Sequence, residues 1–137
     1  MGKPIIGSIA IVIPADGNLA AVDIPAGASP SLALVHEAIG CDALAVVHLA
    51  EGLDMWVDAE EASTGKPCNL VATLLAHRYG RPTSERYYGA ALLAGVGPDD
   101  GVVNLSPEQT REVRRHLRTI ARYHLIVPEP PSLVTPV

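Results

Sequence analysis

The sequence predicts an α+β domain, with a single mostly antiparallel sheet of about five strands and three helices. Short apolar runs rich in β-branched residues are separated by turn signals, which is typical of strands. Three other segments place apolar residues at helical spacing behind a capping residue. The two kinds of segment follow one another irregularly, without a βαβ repeat, and we expect the helices to cover one face of the sheet.

The first forty residues predict two strands and a helix. Residues 5–14 form an apolar run, and a turn at 16–18 returns the chain as a second strand over 19–25. The Ser-Pro pair at 29–30 supplies an N-cap and a first-turn proline for a helix that ends at Gly40.

The segment 42–60 predicts a β-hairpin, because two strand-like runs flank a tight turn at 51–52. A two-residue loop places Ala50 opposite Leu53, and side chains then alternate between the two faces. On the face that we expect to be buried lie Leu44, Val46, His48, Leu53, Met55 and Val57. On the face that we expect to be exposed and partly polar lie Ala45, Val47, Leu49, Asp54, Trp56 and Asp58.

The second half of the chain predicts a helix, a strand and a longer helix. The helix over 70–79 has Asn69 as its N-cap, and a strand follows over 87–95. A Ser-Pro-Glu sequence at 106–108 opens the last helix, which runs to about Arg122. We expect a single domain over residues 1–126 and a proline-rich, extended or disordered tail over 127–137.

Composition indicates a small protein that builds its own core. The chain has 137 residues, 48% of them hydrophobic, so neither disulfides nor a metal are needed for folding. Two cysteines make no disulfide framework, which favours a reducing compartment. The apolar run at 5–13 is too short to span a bilayer. We therefore expect a cytoplasmic protein without membrane attachment.

The sequence contains no recognisable catalytic constellation. Its five histidines lack the spacing of metal ligands, and Gly65-Lys66 lacks the flanking residues of a phosphate-binding loop. Asp54 and Asp58 would lie about 13 Å apart along one strand, too far for a pair of glycosidase carboxylates. We expect no catalytic residue, no cofactor, no metal and no enzymatic activity.

Residues 78–88 are the best candidate for a ligand site, because they hold three of the eight arginines and three of the four tyrosines. Guanidinium groups and aromatic rings suit nucleotides, and the nearby helix N-terminus would favour an anion. The alternative, which we favour, is an exposed loop whose tyrosine rings cover the core. The candidate ligand-binding residues are Asn69, Arg78, Arg81, Arg86, Tyr87 and Tyr88.

The last predicted helix carries a stripe of four arginines opposite an apolar stripe of Val113, Leu117 and Ile120. Glu108 and Glu112 each precede an arginine by three residues and would offset part of the charge. A basic helix face can contact nucleic acid, which makes a nucleic-acid-binding regulator the alternative function. The candidate interaction surface comprises Asp54, Trp56, Asp58, Arg111, Arg115, Arg118 and Arg122.

A homodimer is our preferred use of this arginine stripe. The chain has a net charge of −5, and its first sixty-one residues hold nine of the fifteen acidic residues but one of the ten basic ones. The arginines of one copy could therefore meet the acidic hairpin of a second copy.

Several motifs resemble a family of small uncharacterised proteins of actinobacteria and their plasmids and phages. These motifs are the Pro-Ala-Asp-Gly turn at 14–17, the loop-to-helix element GKPCNLVAT at 65–73 and the strand at 89–95. The resemblance covers residues 8–105, and the family is one of unknown function. It implies an accessory protein of a mobile element. Our leading expectation is a non-enzymatic accessory protein that binds a protein partner or a small anionic ligand.

Overall fold

The computed structural model describes residues 9–24, 31–41, 43–60 and 65–124. Within these ranges, six strands form one antiparallel sheet: β1 (Ala10–Ile13), β2 (Ala20–Val22), β3 (Leu44–Ala50), β4 (Leu53–Asp58), β5 (Ala91–Val96) and β6 (Val102–Val103). Three α-helices of the described residues accompany it: α1 (Ser31–Ile39), α2 (Leu70–Arg78) and α3 (Pro107–His124). The predicted α+β class is confirmed. The predictions for residues 5–8, 29–30 and 127–137 lie outside the described residues.

The strand β5 is the centre of the sheet, in which the strand order is β2-β1-β5-β4-β3. One edge of β5 pairs with β4 along its length. The other edge is shared, because β1 pairs with its first half, at Leu93 opposite Ile11, and β6 with its end, at Gly95 opposite Val103. The strands β2 and β3 are therefore the outer edges of the sheet. The two-residue strand β6 was not predicted.

Helices lie on both faces of the sheet, and the prediction that they cover one face is wrong. On one face α2 and α3 pack on the sheet through Leu75, Leu117 and other buried residues of the larger core. On the opposite face α1 packs Val35 and Ile39 on a second apolar cluster. The physical reason is visible in β5, whose residues ALLAGV contain no polar side chain that could face water.

The hairpin differs from the prediction by one residue in β3. Ala50 does lie opposite Leu53, but a β-bulge between His48 and Ala50 inserts Leu49 without a partner of its own. His48 therefore lies opposite Asp54 and not opposite Met55. Because side chains alternate along a strand, this shift turns every β3 side chain before the bulge to the other face.

The predicted faces of β3 are consequently wrong. Val47 and Leu49 are buried in the larger core, with Ala45 packed against it. Val46, which we expected to be buried, is 39% exposed, and His48 is exposed as well.

The apolar residues of β4 are buried as predicted, but its acidic residues are buried too. Asp54 is 7% and Asp58 2% exposed, on the face of the sheet over which α1 packs. Trp56 is half-buried against the second core. The expectation that these three residues lie on an exposed face is therefore wrong.

A buried asparagine, Asn69, joins three parts of the fold. Its side-chain oxygen accepts a hydrogen bond from the Ala72 N–H and so caps α2 as predicted. Its amide nitrogen donates to the Ile13 carbonyl at 2.7 Å and to the Gly89 carbonyl at 2.8 Å. Thr73 continues this junction by accepting a hydrogen bond from the Tyr87 N–H. The loop-to-helix motif therefore ties α2 to β1 and to the segment before β5.

We predict that Asn69→Ala lowers the free energy of unfolding by about 3–5 kcal/mol, because it removes a cap and leaves two buried carbonyls without a donor. Denaturant unfolding measures this change. Asn18→Ala, at an exposed turn position, is the control and should change stability by less than about 0.5 kcal/mol.

Asn69→Asp separates the two roles of the side chain. Aspartate retains the cap acceptor but directs a carboxylate at two carbonyl oxygens, so we expect a loss at least as large as for Asn69→Ala. A stability close to wild type would show that helix capping alone accounts for Asn69.

Candidate functional site

The helix α3 is held to the sheet by its apolar side and presents its arginines to solvent. Val113, Leu117 and Ile120 are buried in the larger core. The four arginines of the predicted stripe are all exposed: Arg111, Arg115, Arg118 and Arg122. Their spacing spans about 16 Å along the helix axis.

Among the described residues, no carboxylate lies within ion-pair distance of these four arginines. The predicted partial pairing of Glu108 with Arg111 and of Glu112 with Arg115 is not formed. Glu112 instead lies 3.9 Å from the ring nitrogen Nε2 of His116. The arginine charges on α3 are therefore available to another molecule.

A contact between α2 and α3 adds a fifth guanidinium beside this stripe. Arg78 Nε donates to His116 Nδ1 at 2.8 Å, and the Tyr79 ring packs edge-on against the His116 ring at a centroid distance of 4.8 Å. Burial and the nearby Arg78 and Arg115 charges lower the pKa of His116. We call the exposed set Arg78, Arg111, Arg115, Arg118 and Arg122 the arginine surface.

Burial also governs the charge state of Tyr79. Together with the Glu112 carboxylate, it raises the pKa of Tyr79 to about 12. The Tyr79 hydroxyl is buried and has no hydrogen-bond partner among the described residues. At neutral pH both His116 and Tyr79 are therefore uncharged, and the positive charge of this region comes from guanidinium groups.

In the arginine- and tyrosine-rich segment 78–88, several side chains form hydrogen bonds with other residues of the same segment. Arg81 binds the Glu85 carboxylate through two hydrogen bonds of 3.0 and 2.9 Å, and the Tyr87 hydroxyl donates to the same carboxylate. These hydrogen bonds lower the pKa of Glu85, and the one from Arg81 has the larger effect. Arg86 donates to the Thr83 carbonyl at 2.9 Å. Arg81 and Glu85 are four residues apart, a spacing at which opposite charges can pair within a helix. Their ion pair was not predicted from the sequence.

The structure distributes the candidate ligand-binding residues over both ends of α2. Both amide hydrogens of Asn69 are used within the fold, and the backbone of Tyr87 pairs with Asn69 at the helix start. Arg78 lies at the opposite end, about 13 Å away along the helix. Tyr88 is half-buried and forms an isolated bridge with Cys68.

A histidine–aspartate pair on the hairpin was missed, because only the bulge brings its members together. His48 Nδ1 donates to Asp54 Oδ1 at 2.6 Å, with the histidine side chain 76% exposed. The pair lines a shallow concavity of about 520 Å³ at the hairpin end, next to Glu51 and Val96. In the described part of the chain, no cluster of three or more His, Cys, Asp or Glu side chains is arranged to hold a metal ion.

The second hairpin aspartate is also paired. Lys66 Nζ donates to Asp58 Oδ2 at 2.7 Å and to the Gly40 carbonyl at 3.3 Å. The hydrogen bond from Lys66, supported by the Glu60 N–H, holds the pKa of Asp58 below its usual value. Gly89 leaves room for the lysine stem, since a Cβ there would lie 2.9 Å from Lys66 Cδ. The carboxylates of Asp54 and Asp58 thus serve contacts within the fold.

The chain belongs to the family defined by a domain of unknown function, DUF3846, which matches residues 8–118. This range includes the whole described sheet, α1, α2 and most of α3. No curated protein and no solved structure matches the chain. Within the described ranges, no helix has both the length and the apolarity to cross a membrane.

We predict that His116 makes stability fall as the pH drops below its ordinary pKa near 6.5. Its native pKa is lowered, so the unfolded chain binds a proton in a range where the folded chain does not. Acid below the native pKa adds nothing further from this residue. Denaturant unfolding at a series of pH values between 7 and 5 should show a decline that is smaller in His116→Gln. Equal declines in the two proteins would contradict the lowered pKa.

Proposed function

We propose that this chain is a non-enzymatic accessory protein of a phage or plasmid that binds an acidic protein partner through the arginine surface. The observation that carries the binding proposal is the row of exposed guanidinium groups on α3, with no carboxylate of the described residues within ion-pair distance of them. The resemblance of the turn, loop and strand motifs to small proteins of plasmids and phages supports the biological context.

The way α3 is anchored supports a binding role for its outer face. Three buried apolar side chains, Val113, Leu117 and Ile120, hold the helix against the sheet, so the backbone that carries the arginines is ordered before a partner arrives. Preorganisation reduces the entropy lost on binding. Arginine also forms bidentate contacts with carboxylates and is enriched at interface hot spots.

The dimensions of the arginine surface favour a macromolecule over a small anion. Four guanidinium groups extend over about 16 Å of helix, which exceeds what one nucleotide would contact. In the segment 78–88, by contrast, Arg81 and Tyr87 already share the Glu85 carboxylate. A small anionic ligand in that segment would compete with this internal contact.

The charge of the chain favours a protein over nucleic acid. The net charge is −5, so the field beyond the arginine surface repels a polyanion that extends past it. An acidic protein surface of limited size meets the arginines without this penalty. The hairpin of a second copy is a poor match, because Asp54 and Asp58 are buried and hold His48 and Lys66.

The proposal predicts that the chain binds a labelled acidic helical peptide and that Arg115→Glu weakens this binding at least about tenfold, since a charge-assisted contact contributes about 1.5–3 kcal/mol. Fluorescence anisotropy at several salt concentrations measures the dissociation constant. Arg86→Glu is the matched control, because Arg86 is exposed but lies outside the arginine surface.

The same titration with a short duplex DNA tests the rival function. Tighter binding of the duplex than of the peptide at equal salt, lost in Arg115→Glu, would replace our proposal with a nucleic-acid-binding regulator. Binding of neither probe would contradict an anion-binding role for this surface.

A further inference from the structure

We propose that two copies of the chain dimerise through β3, whose outer edges pair antiparallel about a two-fold axis at Val46 and join the two sheets into one. This interface is separate from the arginine surface. Three observations support it: the edge position of β3, the exposure of Val46, and the place of Val46 at the middle of the regular part of the strand.

In the part of the chain that the structure describes, the outer edge of β3 carries unpaired backbone groups. β4 occupies one side of the strand, and β3 ends the strand order. In the described ranges, no backbone or side-chain hydrogen bond is formed by the edge of β3 that faces away from β4. Such an edge is a template for another strand.

The regular part of β3 lacks most of the devices that protect edge strands from pairing. Its residues, LAVVHLA, include no proline, lysine or acidic side chain, whereas the opposite edge strand β2 is three residues long. The bulge at Leu49 protects only the end of β3. Leu44 to His48 remain regular and open.

Val46 is an exposed apolar residue at the middle of this regular stretch. The helix α1 packs over β4, β5 and β6 and leaves Val46 39% exposed. The other large hydrophobic residues with comparable exposure in the described part, Leu32 and Leu70, lie on helices. A strand from another molecule that paired with β3 would cover Val46, which accounts for an apolar residue at this exposed position.

Val46 is the middle residue of the regular stretch, so a two-fold axis there pairs the whole stretch of one copy with that of the other. An axis at Val46 places it against its own copy, Leu44 opposite the partner's His48 and Ala45 opposite the partner's Val47. In this register no two side chains of like charge lie opposite each other, and the Asp54 carboxylate lies beside His48. Cross-strand apolar pairs of this kind stabilise sheets. A second copy is therefore the occupant that fits.

Sedimentation velocity over a range of concentrations tests the dimer. We expect wild type to dimerise, and Val46→Lys to raise the dissociation constant at least about tenfold, because two like charges would meet on the axis. Leu32→Lys is the matched control, since Leu32 is 46% exposed but lies on α1, and it should dimerise like wild type. A wild-type chain that stays monomeric, or a dimer that survives Val46→Lys, would overturn the proposal.

Cross-linking gives a second measurement that does not depend on a lysine variant folding. With Cys41 and Cys68 replaced by serine, Val46→Cys should form a symmetric disulfide on mild oxidation, whereas Leu32→Cys should not. The dimer should also persist in Arg115→Glu. Loss of the dimer in Arg115→Glu with retention in Val46→Lys would indicate association through the arginine surface and contradict the β3 interface.

Discussion

Leu49 is the extra residue of the β-bulge in β3, and the side chains before it face opposite ways from those of an unbulged hairpin. This one insertion turns Val47 into the larger core and turns Val46 and His48 outward. It also places His48 beside Asp54, which gives a buried carboxylate a partner and makes its burial tolerable. The exposure of Val46, on which the proposed dimer rests, is a consequence of the same residue.

Polar groups inside the fold are used to join its parts. Asn69 ties α2 to β1 and to the segment before β5. Lys66 ties the C-terminal end of β4 to the turn after α1 through Asp58 and Gly40. These contacts account for the loop-to-helix motif in structural terms. The arginines of α3 take part in no comparable contact among the described residues, and this difference is why the proposed function is placed on them.

Much of the fold could be predicted from local periodicity in the sequence. The rest could not, because it depends on which distant segments pair with one another. The apolar stripe of α3 and the Asn69 cap depend on residues a few positions apart, so both could be read from the sequence. The bulge inserts one residue without a turn signal, so the face of β3 could not be read. The fully apolar sequence of β5 does indicate helices on both faces. In the candidate site, exposure of the arginines followed from helix geometry, whereas the His48–Asp54 and Arg78–His116 contacts join separate elements.

The register of the hairpin is the central claim, and nuclear Overhauser effects between backbone protons of β3 and β4 measure it directly in solution. The bulged pairing predicts contacts that connect Val47 with Met55 and Val46 with Trp56. Contacts that connect His48 with Met55 and Val46 with Val57 would show an unbulged hairpin. That result would contradict the exposure of Val46, the His48–Asp54 pair and the β3 interface together.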